Sequence, residues 1–179
     1  TTRDSIDSYL KYYSKTIRMI DTAGLRKSSK IKDEIEYYSS VRTERSIDEC
    51  DIAIVMIDGN KGFDNQDRDI VRMVIDKGKG MLLIINKWDL IVKDSHTMNN
   101  YIKNLLHAYP SISHYPIIFT SIKENKRVQD VLLSCLRVYK DRIKKISTNQ
   151  LNLWLNKIVN QNPPPSVKGK HLKIKFVSQ

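Results

Sequence analysis

GMLLIINKWDL, residues 80–90, is the stretch whose reading decides the fold. Its first part, Met81–Asn86, is a short run of Leu and Ile closed by polar residues, the pattern of a strand buried on both faces of a parallel sheet. Its second part, Asn86-Lys87-Trp88-Asp89, sets a carboxylate just beyond the carboxyl end of that strand, where open α/β sheets bind ligands. Two further runs of the same kind lie on either side, Asp51–Asp58 (DIAIVMID) and Tyr115–Thr120 (YPIIFT). Helical patterns separate them: Asp64–Lys77, with Asp64 as N-cap, and Thr97–Ala108. A third helix, Val128–Lys144, carries Val131, Leu132, Cys135, Val138 and Tyr139 on one face. Strands alternating with helices predict an α/β fold, a mostly parallel sheet with helices on both faces.

The two ends differ from this core. Ser5–Tyr12 alternates, Tyr13-Ser14-Lys15 turns, and Thr16–Ile20 runs back, which predicts an antiparallel hairpin at the edge of the sheet. After Lys145 the pattern restarts. Ser147-Thr148 opens a helix over Asn149–Val159, with Leu151, Trp154, Leu155 and Ile158 on one stripe. Pro163-Pro164-Pro165 forbids its continuation. His171–Gln179 alternates as a half-buried strand does. About 30 residues are too few to bury a core alone. Residues 1–145 therefore read as one domain and 146–179 as the start of a second, and the chain is expected to be cut at both ends.

The 179 residues carry a formal charge of +11, distributed unevenly. Arg137–Gln179 holds ten Lys/Arg and one acid, a net +9, leaving +2 for everything before it. Such a skew points to a polyanion at that end, RNA ahead of membrane, through Lys168, Lys170, Lys173 and Lys175. A solvated basic surface is the plainer alternative. No run approaches the ~18 apolar residues of a membrane span, and the start has no signal peptide, so a cytoplasmic location is expected. Cys50 and Cys135 have no metal-ligand spacing and read as reduced thiols. His96, His107, His114 and His171 are scattered and read as non-ligands.

Three motifs carry chemistry. Asp21-Thr22-Ala23-Gly24 follows the strand ending at Ile20. A carboxylate there can hold Mg²⁺, largely through water, while a glycine lets the backbone approach a phosphate. In Asn86–Asp89, the Asp89 carboxylate can accept two hydrogen bonds from guanine, at the ring N–H and the exocyclic amine. Adenine offers a lone pair at the first position and would leave the carboxylate unpaired. The stem of Lys87 can lie over the base, and Asn86 can brace neighbouring loops. Ser121-Ile122-Lys123 closes the third strand, where a backbone N–H can reach the base oxygen.

The order D-T-A-G, N-K-W-D, S-x-K on successive strand tips resembles the translation-factor-related GTPases. More narrowly, it resembles the second GTPase domain of the Der (EngA) family of bacterial ribosome-assembly proteins. The stretches that carry the likeness are Thr1–Asp7, Asp21–Arg26, Tyr38–Arg45, Gly80–Leu90, Ile146–Leu151 and Pro163–Ile174. The resemblance implies a P-loop NTPase-type three-layer sandwich followed by the beginning of a small α+β KH-like domain. It implies GTP as substrate, with Mg²⁺ and, as a further candidate, a monovalent cation such as K⁺. Thr1, Thr2 and Arg3 would form switch I, with Thr2 and Asp21 at the metal. Asp21, Thr22, Ala23, Gly24 and Leu25 would form switch II. Asn86, Lys87, Trp88 and Asp89, with Ser121, Ile122 and Lys123, would hold the base. The implied partners are the large ribosomal subunit with its rRNA and an upstream GTPase domain of the same protein.

The chain departs from the pattern in three places. The glycine-rich phosphate loop, which supplies most phosphate binding, would precede Thr1, so the piece alone is expected to be inactive and the intact protein active. Leu25 stands where Ras-like enzymes place a water-orienting Gln, so no catalytic side chain is assigned and slow intrinsic hydrolysis is expected. The base loop reads Ser-Ile-Lys rather than Ser-Ala, with Asn125 where Gly is common. Two functions stay open: a GTP-hydrolysing switch for large-subunit assembly, and a non-hydrolysing RNA- or ribosome-binding assembly module on a degenerate nucleotide fold.

Overall fold

The computed structural model describes residues 7–20, 32–166 and 172–179, with backbone alone for residues 32–40. The chain divides into two compact units, Thr1–Tyr139 and Lys140–Gln179.

The first unit is built on three parallel strands, β3 (Ile52–Asp58), β4 (Gly80–Asn86) and β5 (Ile117–Phe119), in the order β3-β4-β5. Central β4 is buried from Gly80 through Ile85, as expected of a strand whose two faces both pack. Its side chains alternate between two cores. Met81, Leu83 and Ile85 join Val71 and Val74 of α2 (Asn65–Asp76), Leu105 of α3 (Thr97–Ala108) and Ile47 of α1 (Lys32–Glu49). Leu82 and Ile84 meet Ile118, Val131 and Cys135, the last two on α4 (Val128–Arg142). Burial pushes the Cys135 thiol up to about 11, so it stays protonated at neutral pH. Among the described residues neither cysteine is in a disulfide.

Asp64 caps α2 as the sequence predicts. Its carboxylate accepts from the Asp67 N–H at 2.9 Å while the Asp67 carboxylate accepts from the Asp64 N–H at 3.1 Å, a reciprocal capping box. Helix α1 is an addition to the expected elements.

Two expectations are corrected. The hairpin forms, as β1 (Ser8–Tyr12) and β2 (Lys15–Met19) in antiparallel register from Ser8↔Met19 to Tyr12↔Lys15. It is nevertheless a separate two-stranded sheet rather than the edge of the parallel one. Alternation along a strand specifies which face is buried, not which strand lies alongside. Arg18 ties the hairpin to the end of α1, reaching Asp7 at 2.7 Å and Glu49 at 2.9 Å.

The second correction concerns the second unit. Its helix α5 (Thr148–Gln161) is capped by Ser147, whose hydroxyl accepts from the Gln150 N–H. Residues 172–179, however, form no strand. The Asn152 carboxamide instead brackets Val177, accepting from its N–H and donating to its carbonyl, both at 3.1 Å. A strand requires a partner strand, and the described residues of this unit supply none. Leu172, Ile174 and Phe176 accordingly remain half exposed or more, as does Trp154 on α5. Among the described residues, no helix is long and apolar enough to cross a membrane.

Candidate functional site

The carboxyl ends of β3, β4 and β5 converge on one loop cluster. Asp58 and Asn86 are register partners at the tips of β3 and β4, and the Gly59 N–H donates to the Asn86 carbonyl at 2.8 Å. A Cβ at Gly59 would stand 3.0 Å from that carbonyl, a tight contact that a glycine avoids.

Asn86 binds the β5 loop to the β4 loop. Its side-chain oxygen accepts from the Thr120 hydroxyl at 3.3 Å and from the Ile122 N–H at 3.2 Å. Its amide group donates to the Met56 sulfur at 3.8 Å. The Trp88 N–H donates to the Thr120 carbonyl at 3.0 Å.

Lys87 takes a left-handed backbone conformation, φ 59°, turning the chain out of β4 into the 3₁₀ turn Trp88–Leu90. Its ammonium reaches Asp58 at 2.6 Å. That contact, with the backbone N–H groups of the following turn, holds the Asp58 carboxyl below the usual carboxylate range against a smaller desolvation cost. Trp88, by contrast, faces inward. It is 8% exposed, with Phe119 at 4.3 Å and Tyr101 at 5.4 Å between ring centroids, and thus floors the site rather than lining it with polar atoms.

Asp89 is the half-buried carboxylate of the cluster. A hydrogen bond from the Ser121 hydroxyl is the largest cause holding its pKa down, with Lys123 and Lys93 adding attraction. Asp89 is therefore ionised at neutral pH and poised to accept hydrogen bonds. It borders a depression of about 210 Å³ whose walls include Trp88, Thr120, Ser121, Glu124 and Arg127. A larger hollow of about 420 Å³, between Arg68, Arg72 and Tyr109, touches none of the strand tips.

The loop after β5 closes on itself. Ser121 and Lys126 pair in an antiparallel bridge, and the Ser121 hydroxyl accepts from the Glu124 N–H at 3.2 Å. Asn125 has φ 53°, a conformation that explains an Asn or Gly there. The N–H groups of Ser121, Ile122, Glu124, Asn125 and Lys126 all have acceptors, whereas that of Lys123, between them, has none among the described residues.

The structure thus brings together Asn86, Lys87, Trp88, Asp89, Ser121, Ile122 and Lys123, with Ile122 and Lys123 exposed. Asp58, Lys93 and Arg127 were not anticipated. The signal for Asp58 was its place at the end of β3, opposite Asn86. Thr1, Thr2, Arg3, Asp21, Thr22, Ala23, Gly24, Leu25, Lys168 and Lys170 lie outside the described residues. Lys173 and Lys175 are exposed in the second unit. No group of three or more metal-ligating side chains occurs among the described residues.

Comparison with known proteins follows this division of the chain. Residues 1–141 match the family described as the elongation factor Tu GTP-binding domain. Residues 145–179 match the KH-domain-like C-terminal region of EngA bacterial GTPase enzymes. The GTPase Der of Chlorobaculum parvum is 45% identical over all 179 residues, 100% of this chain and 41% of that protein. The GTPase Der of Finegoldia magna is 44% identical over the same span and shares. The chain thus spans about two fifths of the length of the curated relatives it matches. In fold it is similar to a crystal structure of Era in complex with MgGDPNP and nucleotides 1506–1542 of 16S ribosomal RNA. That match has a TM-score of 0.64 at 21% identity and covers 77% of this chain and 45% of the other. It is also similar to the selenocysteine-specific elongation factor EF-Sec, with a TM-score of 0.61 at 15% identity, covering 82% of this chain and 24% of the other.

Proposed function

We propose a function from one premise: the chain belongs to the elongation factor Tu family of GTP-binding domains. The protein containing it binds and hydrolyses GTP, and uses the nucleotide as a switch in maturation of the large ribosomal subunit. Residues 1–145 form the GTP-binding domain and residues 146–179 open a KH-like domain. The observation that supports this reading most is Asp89, a carboxylate favoured by the Ser121 hydroxyl and its basic neighbours, beside an open depression. A carboxylate in that state complements guanine's two adjacent donors and repels adenine's lone pair. The N–H of Lys123 is a donor available for the base oxygen.

Mg²⁺ would be held by Asp21 and Thr2, with switch I at Thr1–Arg3 and switch II at Asp21–Leu25. When bound, the ion neutralises charge on the phosphates. The chain's own residues select and orient the base, and no side chain is assigned as a catalytic base. A monovalent cation such as K⁺ is a second electrostatic aid. Lys168, Lys170, Lys173 and Lys175 contact rRNA phosphates, with no sequence reading implied.

Nucleotide competition on the full-length protein tests the core of this reading. GTP is expected to displace a labelled nucleotide far more effectively than ATP, and equal displacement would overturn the proposal. The RNA contact is tested by affinity against salt concentration. Replacing the four lysines by Ala should flatten the dependence, and an unchanged slope would remove them from the interface.

A further inference from the structure

The ion pair between Lys87 and Asp58 has no place in the roles above, and it joins the tips of β3 and β4 two residues before Asp89. We infer that Asp58 is a positioning residue for nucleotide binding: it anchors the Lys87 ammonium so that the lysine's methylene stem forms a fixed wall for the purine. The inference deepens the guanine-binding reading of Asn86–Asp89 and rests on it.

Three observations support it. First, the pair is short and directional, Lys87 Nζ to Asp58 Oδ2 at 2.6 Å, although the lysine side chain is 54% exposed. A lysine with that much solvent access would otherwise lose substantial rotamer freedom on packing against a base. Anchoring it beforehand transfers that cost from binding to folding. Second, the anchor itself is rigid. Asp58 ends β3 in register with Asn86, the Gly59 N–H bonds the Asn86 carbonyl, and a Cβ at Gly59 would stand 3.0 Å from that carbonyl and from the Ile85 Cγ2. Third, the two carboxylate oxygens divide their work. Oδ2 holds Lys87, while Oδ1 accepts the Asn60 N–H at 3.1 Å and shapes the turn after β3. Lys87 also holds the Asp58 carboxyl below the usual carboxylate range.

This division makes Asp58→Asn a selective probe. Asparagine can still accept the Asn60 N–H through its oxygen, but presents an amide to Lys87 in place of the carboxylate oxygen. Asp58→Glu retains the charge and serves as the rescue. Lys87→Met keeps an apolar stem, removes the anchor point, and leaves the Asp58 oxygen that accepts the Asn60 N–H in place.

The experiment measures release of fluorescently labelled GDP from the full-length protein by stopped flow, together with the GDP-to-IDP affinity ratio. IDP lacks the exocyclic amine, so that ratio reports Asp89 alone. Asp58→Asn and Lys87→Met should each speed GDP release by about two- to fivefold, as expected for a partly exposed ion pair. The double variant should be no faster than either single one, Asp58→Glu should restore slow release, and the GDP-to-IDP ratio should hold throughout. Parental release rates in Lys87→Met overturn the inference even where Asp58→Asn fails to fold. A fall in the GDP-to-IDP ratio also overturns it, because Asp58 would then act through Asp89. A parent protein with no preference for GDP over ADP would instead bring down the guanine reading itself.

Discussion

The carboxamide oxygen of Asn86 and the backbone N–H of Ile122 lie 3.2 Å apart, joining the tips of β4 and β5 across 36 residues of sequence. Asn86→Ala removes this acceptor and the one for the Thr120 hydroxyl, which is 2% exposed at the residue level. Leaving such groups unpaired costs ~1–3 kcal/mol each, with the exposed Ile122 bond at the low end. The variant should show faster hydrogen exchange at Ile122 and weaker GDP binding by the full-length protein. Asn86→Asp keeps an acceptor and should recover the Ile122 protection. Unchanged exchange in Asn86→Ala would show that the loop holds its shape through the Ser121–Lys126 bridge alone.

Asp89 invites a change of specificity rather than a loss of binding. Asparagine in its place would donate where the carboxylate accepts, matching xanthine, which carries an oxygen where guanine carries an amine. Asp89→Asn should therefore bind XDP in preference to GDP, measured by competition on the full-length protein. Retained preference for GDP would show that Asp89 does not read the base. Ser121→Ala is the companion: it removes the largest cause of the lowered Asp89 pKa and should weaken GDP binding without favouring XDP.

Much of this was legible because parallel sheets advertise themselves. An apolar run such as Met81–Ile85 has few alternatives to a central strand, and the tip of that strand locates Asn86–Asp89. What the pattern hid was non-local or unpartnered. Helix α1 escaped because its described side chains bury only Thr43 and Ile47, too few to mark a stripe. Trp88 reads as part of a binding motif, yet its ring goes into the core against Phe119 and Tyr101. The Lys87–Asp58 pair depends on β3 and β4 being neighbours in a given register, which neither segment specifies alone. The alternation in residues 172–179 is a real pattern without a partner strand to complete it.

Gly80, the first residue of β4, tests the packing of the central strand. A Cβ there would stand 2.9 Å from the Val138 Cγ1, 3.3 Å from the Asp51 carbonyl, and against the Ile52 Cδ1. The Gly80 N–H also bonds the Asp51 carbonyl at 3.0 Å, so the strand cannot shift freely to make room. Gly80→Ala should destabilise the domain by about 1–3 kcal/mol, the usual cost of overpacking. Urea denaturation measures it as a lower midpoint at unchanged slope. A midpoint equal to the parent's would mean that Ile52 and Val138 rotate away at no cost.

Asp94 gives a pH dependence whose sign is fixed by its bonds. One carboxylate oxygen accepts from the His96 N–H at 2.8 Å, the Thr97 N–H at 2.7 Å and the Thr97 hydroxyl at 2.6 Å, just ahead of α3. The Thr97 hydroxyl is the largest cause holding this carboxyl below the usual carboxylate range, followed by the two backbone donors. With a folded pKa below the unfolded one, ionised Asp94 contributes its full stabilisation above about pH 4, the ordinary carboxylate value. The contribution is lost as pH falls through the lower folded pKa. Asp94→Asn keeps the single oxygen that accepts all three bonds and removes only the charge near the start of the helix. The variant should be less stable than its parent at pH 7, and the gap should close as the pH is lowered through the folded pKa. Urea midpoints across that range measure it. A gap that persists unchanged in acid would assign the effect to lost hydrogen-bond geometry instead of charge.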